Sequence, residues 1–184
     1  MLLEIQAAWQ DDLPHFHPEH EVTVRRHIGD YTLFMTGIFR ERVERVRQRT
    51  QNRPPVRVTF LEWLDPPFAC GHWTPELVQL AGGIDGHGRA GQPSRRLDWQ
   101  EVLEWQPEAI VIACCGFTVE RTLQDLPALE RMPGWNDLPA VQRGAVFVTD
   151  GNAYFSRPGP RLADSLEWLA AQLERCNAPV ASRV

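Results

Sequence analysis

Three short runs, Val56 to Leu61, Ala109 to Ala113 and Ala145 to Thr149, constrain this chain more than any other feature. Each is strand-length, largely apolar and bounded by polar or turn-forming residues, the pattern of strands buried in a sheet. Between them lie segments with helix chemistry. Pro75 to Ala81 follows Thr74 as a cap and stops at Gly82-Gly83, and Trp99 to Trp105 follows Asp98. Thr118 to Leu129 and Asn136 to Gln142 read as further helices. A small polar residue satisfies free N–H groups where a helix starts, and glycine takes up the left-handed turn where it stops. A last amphipathic helix spans Arg161 to Arg175, with Leu162, Leu166, Leu169 and Leu173 on one side. Strands alternating with helices predict an α/β class: a single lobe with a mostly parallel sheet flanked by helices.

The joint Asn52-Arg53-Pro54-Pro55 ends the helix before it and divides the chain. Residues 1–53 form an amino-terminal segment and 54–184 the α/β ligand-binding lobe. Within the first segment Arg40 to Arg49 is an arginine-rich, linker-like helix whose narrow stripe of Val43 and Val46 predicts a mostly solvated rod. Gly83 to Ser94 is expected to be a glycine-rich loop. With 43% apolar residues the chain can bury a core, and a net charge of -5 opposes the clustered positive field that nucleic acid requires. No apolar run reaches the roughly 18 to 20 residues of a membrane span. Met1 to Gln6 lacks a basic start followed by an apolar stretch, so a cytoplasmic location is the expectation. His15, His17 and His20 have the residue type of metal ligands, but the irregular, proline-bounded segment they occupy reads as exposed and no metal site is expected. Cys70, Cys114, Cys115 and Cys176 read as free thiols.

In an open parallel sheet, ligands gather beyond the carboxyl ends of the strands. That rule selects Trp63 to Trp73, Cys114 to Phe117 and Asp150 to Pro160, all rich in aromatic, glycine or proline residues. The connections at the other edge, Glu104 to Glu108 and Gln142 to Gly144, are ordinary polar ones. A rim of Trp63, Phe68, Trp73, Phe117, Tyr154 and Phe155 suits a large, flat, partly apolar ligand. The competing reading for Trp63 and Phe68 is that they plug the domain's own core. Asp65, His72, Asp150 and Arg157 have acid-base chemistry, yet no nucleophile elbow, paired-carboxylate signature or phosphate loop accompanies them, so no catalytic residue is assigned.

The segments Glu62-Trp63-Leu64-Asp65-Pro66-Pro67-Phe68, Gly71-His72-Trp73-Thr74-Pro75-Glu76-Leu77-Val78, Ala81-Gly82-Gly83 and Asp150 to Arg161 closely resemble the carboxyl-terminal lobe of cobalamin-binding proteins. These belong to the helix-linked class of ABC-importer substrate-binding proteins for vitamin B12 and iron chelates, which work outside the cytoplasm. The resemblance runs from about Arg57 to the end of the last helix. It implies that Trp63, Asp65, Pro67, Phe68, His72, Trp73, Phe117, Tyr154, Phe155 and Arg157 lie at or near the face that receives a corrinoid, cobalamin being a ligand and not a catalytic cofactor. It also implies an ABC permease as partner, with Glu76 as a docking carboxylate or a first-turn helix acid. In that family two lobes clamp the ligand, and residues 1–50 are not matched to the other lobe. A second lobe, or a second copy in a homodimer, is therefore expected to complete the crevice. The alternatives are iron-chelate or haem binding by the same fold, a cytoplasmic metal-dependent enzyme using His72 with Asp65 or Asp150, and an interaction module.

Overall fold

The computed structural model describes Gly37 and residues 39–177. The chain divides between Glu41 and Arg42, and the fold that follows is that of the second unit. His15, His17 and His20 lie outside the described residues.

The unit is built around β1 (Val56–Leu64), whose central residues are buried on both faces. Along one side β1 pairs in parallel with β5 (Ala109–Ile112), every residue of which is buried, and β5 pairs in parallel with β6 (Val146–Val148). The other side of β1 is shared. Its first half pairs in parallel with β3 (Gly83–Asp85), and its second half pairs antiparallel with β2 (Pro67–Ala69), which carries β4 (Arg95–Arg96) on its outer edge. The architecture is the expected α/β one, but the sheet is mixed and runs β4-β2-β1-β5-β6.

The antiparallel hairpin is the main difference from the sequence reading, which ended the strand at Leu61 and took Trp63 to Trp73 as the segment leaving it. The strand continues to Leu64 because a bulge at Glu62 shifts the register between Leu61 and Trp63. Leu61 and Leu64 both reach the same core cluster, while Glu62 and Trp63 are left half-buried. The glycine-rich stretch also begins as a strand, since Gly83 packs where a Cβ would come within 2.9 Å of Val58, Val78 and Leu173 side chains.

Helix chemistry fares better. α2 (Thr74–Leu80) takes Thr74 as its first residue rather than its cap, and Gly82, at φ 87, makes the turn that follows. α3 (Trp99–Trp105) has a full capping box between Asp98 and Glu101, and α4 (Val119–Glu130) is capped by Thr118. Residues Asn136 to Gln142 do not form one helix. Pro139 holds Leu138 extended, at ψ 134, and splits the stretch into a 3₁₀ turn (Trp135–Asp137) and α5 (Pro139–Gln142). The short α6 (Gly151–Tyr154) and the long α7 (Leu162–Asn177) complete the unit. Leu166, Leu169 and Leu173 of α7 are fully buried.

The arginine-rich helix is mostly exposed, as expected, and it is anchored along one stripe. Its residues 42–50, here α1, carry a fully buried Val46, and Thr50 donates to the Leu80 carbonyl at 3.2 Å. Arg42 pairs with Glu167 at 2.7 Å and Asp164 at 2.5 Å, and Arg49 pairs with Glu174 at 2.8 Å. The Arg42 guanidinium holds the Glu167 carboxyl below its usual range, chiefly through their hydrogen bond. Arg42→Met is expected to lower unfolding free energy by about 1 kcal/mol in low salt, less in high salt, because these pairs are partly exposed and screened. An unchanged urea midpoint in low salt would contradict this.

Candidate ligand-binding site

The carboxyl ends of β1, β5 and β6 lie on one edge of the sheet, since these strands are mutually parallel. The segments leaving them are joined to one another. The Trp63 ring lies 4.8 Å from that of Phe117, and the Cys115 amide donates to the Glu62 carbonyl at 3.0 Å. Asn152 N–H donates to the Phe117 carbonyl at 3.2 Å, and Gly116 N–H to the Ser156 hydroxyl at 2.9 Å. The Trp73 indole N–H reaches the Phe155 carbonyl at 3.1 Å. The backbone of Gly151 passes so close to β5's exit that a side chain there would collide with Cys114. Asp150 is committed as the cap of α6, its carboxylate accepting from Ala153 N–H at 2.7 Å.

Trp63, Phe68, Trp73, Phe117 and Tyr154 are half-buried, whereas Asp65, His72 and Arg157 are exposed. Pro67 and Phe155 are buried. Phe155 turns inward, 5.0 Å from the Phe60 ring in an edge contact and 6.4 Å from Trp168, so it forms part of the core beneath this edge. Pro67 lies opposite Leu64, and its carbonyl accepts from Leu97 N–H at 2.9 Å. The Trp63 indole N–H donates to the Asp65 carbonyl, leaving the polar edge of that ring satisfied by its own turn.

His72 sits at φ 54, a left-handed conformation that costs a non-glycine residue on the order of 1 kcal/mol. Surrounding contacts over-determine it. Its amide donates to Gln92 carbonyl at 2.6 Å, its carbonyl accepts from Gly91 N–H at 2.8 Å, and Glu62 bridges Gly71 N–H and the Ser94 hydroxyl. The imidazole itself is left exposed, 5.7 Å from the Trp73 ring. Among the described residues neither Asp65 nor Asp150 hydrogen-bonds it, and no cluster of His, Cys, Asp or Glu has metal-binding geometry.

Away from this edge, Cys70 donates to Asp85 at 2.8 Å, and His87 bonds Thr59 at 3.0 Å with its ring buried. Burial pushes the Cys70 thiol well up, Cys114 to about 11, and the His87 imidazole down. All three are neutral at pH 7.

Sequence reading missed two cations. The Arg121 guanidinium lies 4.4 Å over the Phe117 ring, and the Phe-x-x-x-Arg spacing into a helix start carried that signal. Arg96 pairs across β4 and β2 with Phe68, a position invisible without β4. An open groove of about 520 Å³ runs beside it, lined by Pro67, Leu97, Trp99 and Met132 among others. Here Arg95 holds the Glu101 carboxyl down to about 2, chiefly by a hydrogen bond. A depressed folded-state pKa contributes stability above the unfolded value near 4.5, lost as pH falls towards 2. Glu101→Gln is therefore expected to cost about 0.5 to 1 kcal/mol at pH 7, where the pair is largely screened, and almost nothing near pH 2. Equal losses at both pH values in urea melts would contradict it.

Comparison with known proteins gives the family. A family model described as periplasmic binding protein matches residues 38–153. The chain belongs to this family. A vitamin B12-binding protein of Vibrio cholerae serotype O1 is 27% identical over 140 residues, covering 74% of this chain and 47% of that protein, in its carboxyl-terminal part. The chain thus spans about half the length of the curated relatives it matches. The solved periplasmic vitamin B12 binding protein BtuF of Vibrio cholerae superposes with a TM-score of 0.65 at 22% identity, over 83% of this chain and 56% of that one. The periplasmic haem-binding protein RhuT from Roseiflexus sp. RS-1 gives 0.69 at 19% identity, over 85% and 60%. Family members are substrate-binding proteins of ABC transporters, and the resemblance noted in the sequence is to their carboxyl-terminal lobe. Among the described residues no helix is long and apolar enough to cross a membrane.

Proposed function

We propose that this lobe binds cobalamin or a related corrinoid, without catalysis, as part of an ABC-importer substrate-binding protein. One observation carries the reading: half-exposed rings from different strand exits meet at one sheet edge, with Trp63 and Phe117 in contact. Ring faces supply broad apolar area to a flat guest at little conformational cost. The vitamin B12-binding relative supports the choice of ligand. On this reading the chain works in the periplasm, as its family does, and the cytoplasmic expectation from Met1 to Gln6 gives way.

One lobe covers one side of a macrocycle, so a second lobe or a second copy closes the other side. Glu76, half-buried in the first turn of α2, is the proposed carboxylate that meets a basic patch on the permease. Haem or an iron chelate is the second reading, motivated by the equally good superposition on a haem-binding protein.

Absorbance titration of the chain with cyanocobalamin and, separately, haemin tests both. Saturable spectral change with one ligand, weakened about tenfold to a hundredfold by Trp63→Ala, is expected. No saturable change with either ligand would overturn the proposal.

A further inference from the structure

The same face carries a second kind of information, and the inference drawn from it rests on the function proposed above. Trp63 lies opposite Phe68 across β1 and β2, and Phe68 lies opposite Arg96 across β2 and β4. Direct cross-strand partners project from the same side of a sheet with Cβ atoms about 5 Å apart. With Phe117 packed on Trp63, the result is a row of three rings ending in a guanidinium.

The two cations of this row differ. Arg121 at the Phe117 end is already committed, stacked on the ring and paired with Asp125 at 2.7 Å. Arg96 is exposed, and among the described residues its guanidinium has no hydrogen bond or ion pair. Its neighbour Arg95 is held by Glu101 at 2.6 Å. The acids that share the groove with Arg96 are engaged too. Asp98 accepts from Gln100 N–H at 3.0 Å, and Glu101 binds both Arg95 and Asp98 N–H. Arg95 balances Glu101, Asp98 keeps its charge turned to the start of α3, and Arg96 is the cation left without a partner among the described residues, at the end of the ring row.

A guanidinium presents a planar fork of donors that matches a carboxylate or phosphate, and it pairs with either more strongly than with a neutral acceptor. We infer that Arg96 recognises an anionic oxygen group, carboxylate or phosphodiester, on the periphery of the macrocycle lying on Phe117, Trp63 and Phe68. The preferred ligand is then an acid-bearing macrocycle, and Arg96 sets that preference without contributing to the stacking.

Matched pairs of probes test this on the full chain. Haemin is compared with its dimethyl ester, which lacks the free carboxylates, and cyanocobalamin with dicyanocobinamide, which lacks the phosphodiester tail. Wild type is expected to favour, by about tenfold, the member of the binding pair that carries the anionic oxygen group, a preference that shrinks with added salt. The haemin pair would identify a carboxylate as the source, the corrinoid pair a phosphodiester. Arg96→Gln is expected to abolish the preference while leaving the affinity for the member that lacks the anionic group, and the melting temperature, unchanged. Equal wild-type affinity for both members overturns the inference and leaves the macrocycle reading standing, as does an Arg96→Gln variant that weakens both alike. Failure of all four probes removes the macrocycle reading together with the inference.

Discussion

Gly151→Ala is expected to lower the unfolding free energy by about 3 kcal/mol or more and to dissolve the candidate site with it. A Cβ at this position would collide with the Cys114 carbonyl and stand 2.7 Å from the carbonyl carbons of Ala113 and Cys114. The obstacle is the backbone of the chain leaving a fully buried strand, so no side-chain rotation relieves it. Either α6 lifts away or the end of β5 moves. Lifting α6 breaks the bonds from Asn152 to Phe117 and from Gly116 to Ser156, which tie the second and third strand exits together. Gly159→Ala is the control, because nothing lies within 4 Å of its Cβ position. Chemical denaturation of both variants is the measurement, and equal midpoints would mean that the exits are not in close contact.

Phe155→Ala is expected to cost about 3 to 5 kcal/mol, as large-to-small changes at buried aromatic positions do. The ring is 4% exposed and wedged between Phe60 and Trp168, so truncation leaves a cavity between the sheet and α7. Phe155→Leu should recover most of that loss, because it keeps volume in the cavity. A residue serving only as a ligand contact would behave differently, with either substitution changing stability by about 0.5 kcal/mol or less. Urea midpoints of the two variants therefore separate core from rim at this position, where residue type alone does not.

Much of the architecture was legible because it rests on local patterns. The apolar runs of β1, β5 and β6 announce buried strands, and Asp98, Thr118 and Gly82 mark helix ends by the hydrogen bonds and dihedrals those positions need. The leucines of α7 fall on one stripe and are buried as that stripe predicts. What escaped depends on distant partners. β2 and β4 have only three and two residues, contain a proline and two arginines, and exist as strands because β1 extends past its bulge to meet them. The ion pairs of α1 are made with acids more than 120 positions away in α7, a pairing no window along the chain displays.

The site divides along the same line. Trp63, Phe117 and Trp73 could be grouped from sequence because the exits of neighbouring parallel strands share an edge. The inward turn of Phe155 could not, since aromatic residues in loops face a ligand or the core with equal ease. Arg121 was within reach of the sequence, four residues from Phe117 at the start of a helix. Arg96 was not, because its place beside the rings depends on the register of a two-residue strand.

Hydrogen–deuterium exchange of the full chain, with and without a saturating concentration of whichever macrocycle binds, tests the central claim most directly. If the three strand exits form one ligand face, exchange slows together in residues 62–73, 114–118 and 152–157. The polar connections at the opposite edge, 104–108 and 142–144, should exchange as before. Protection confined to one exit, or appearing at the opposite edge, would contradict a shared aromatic face.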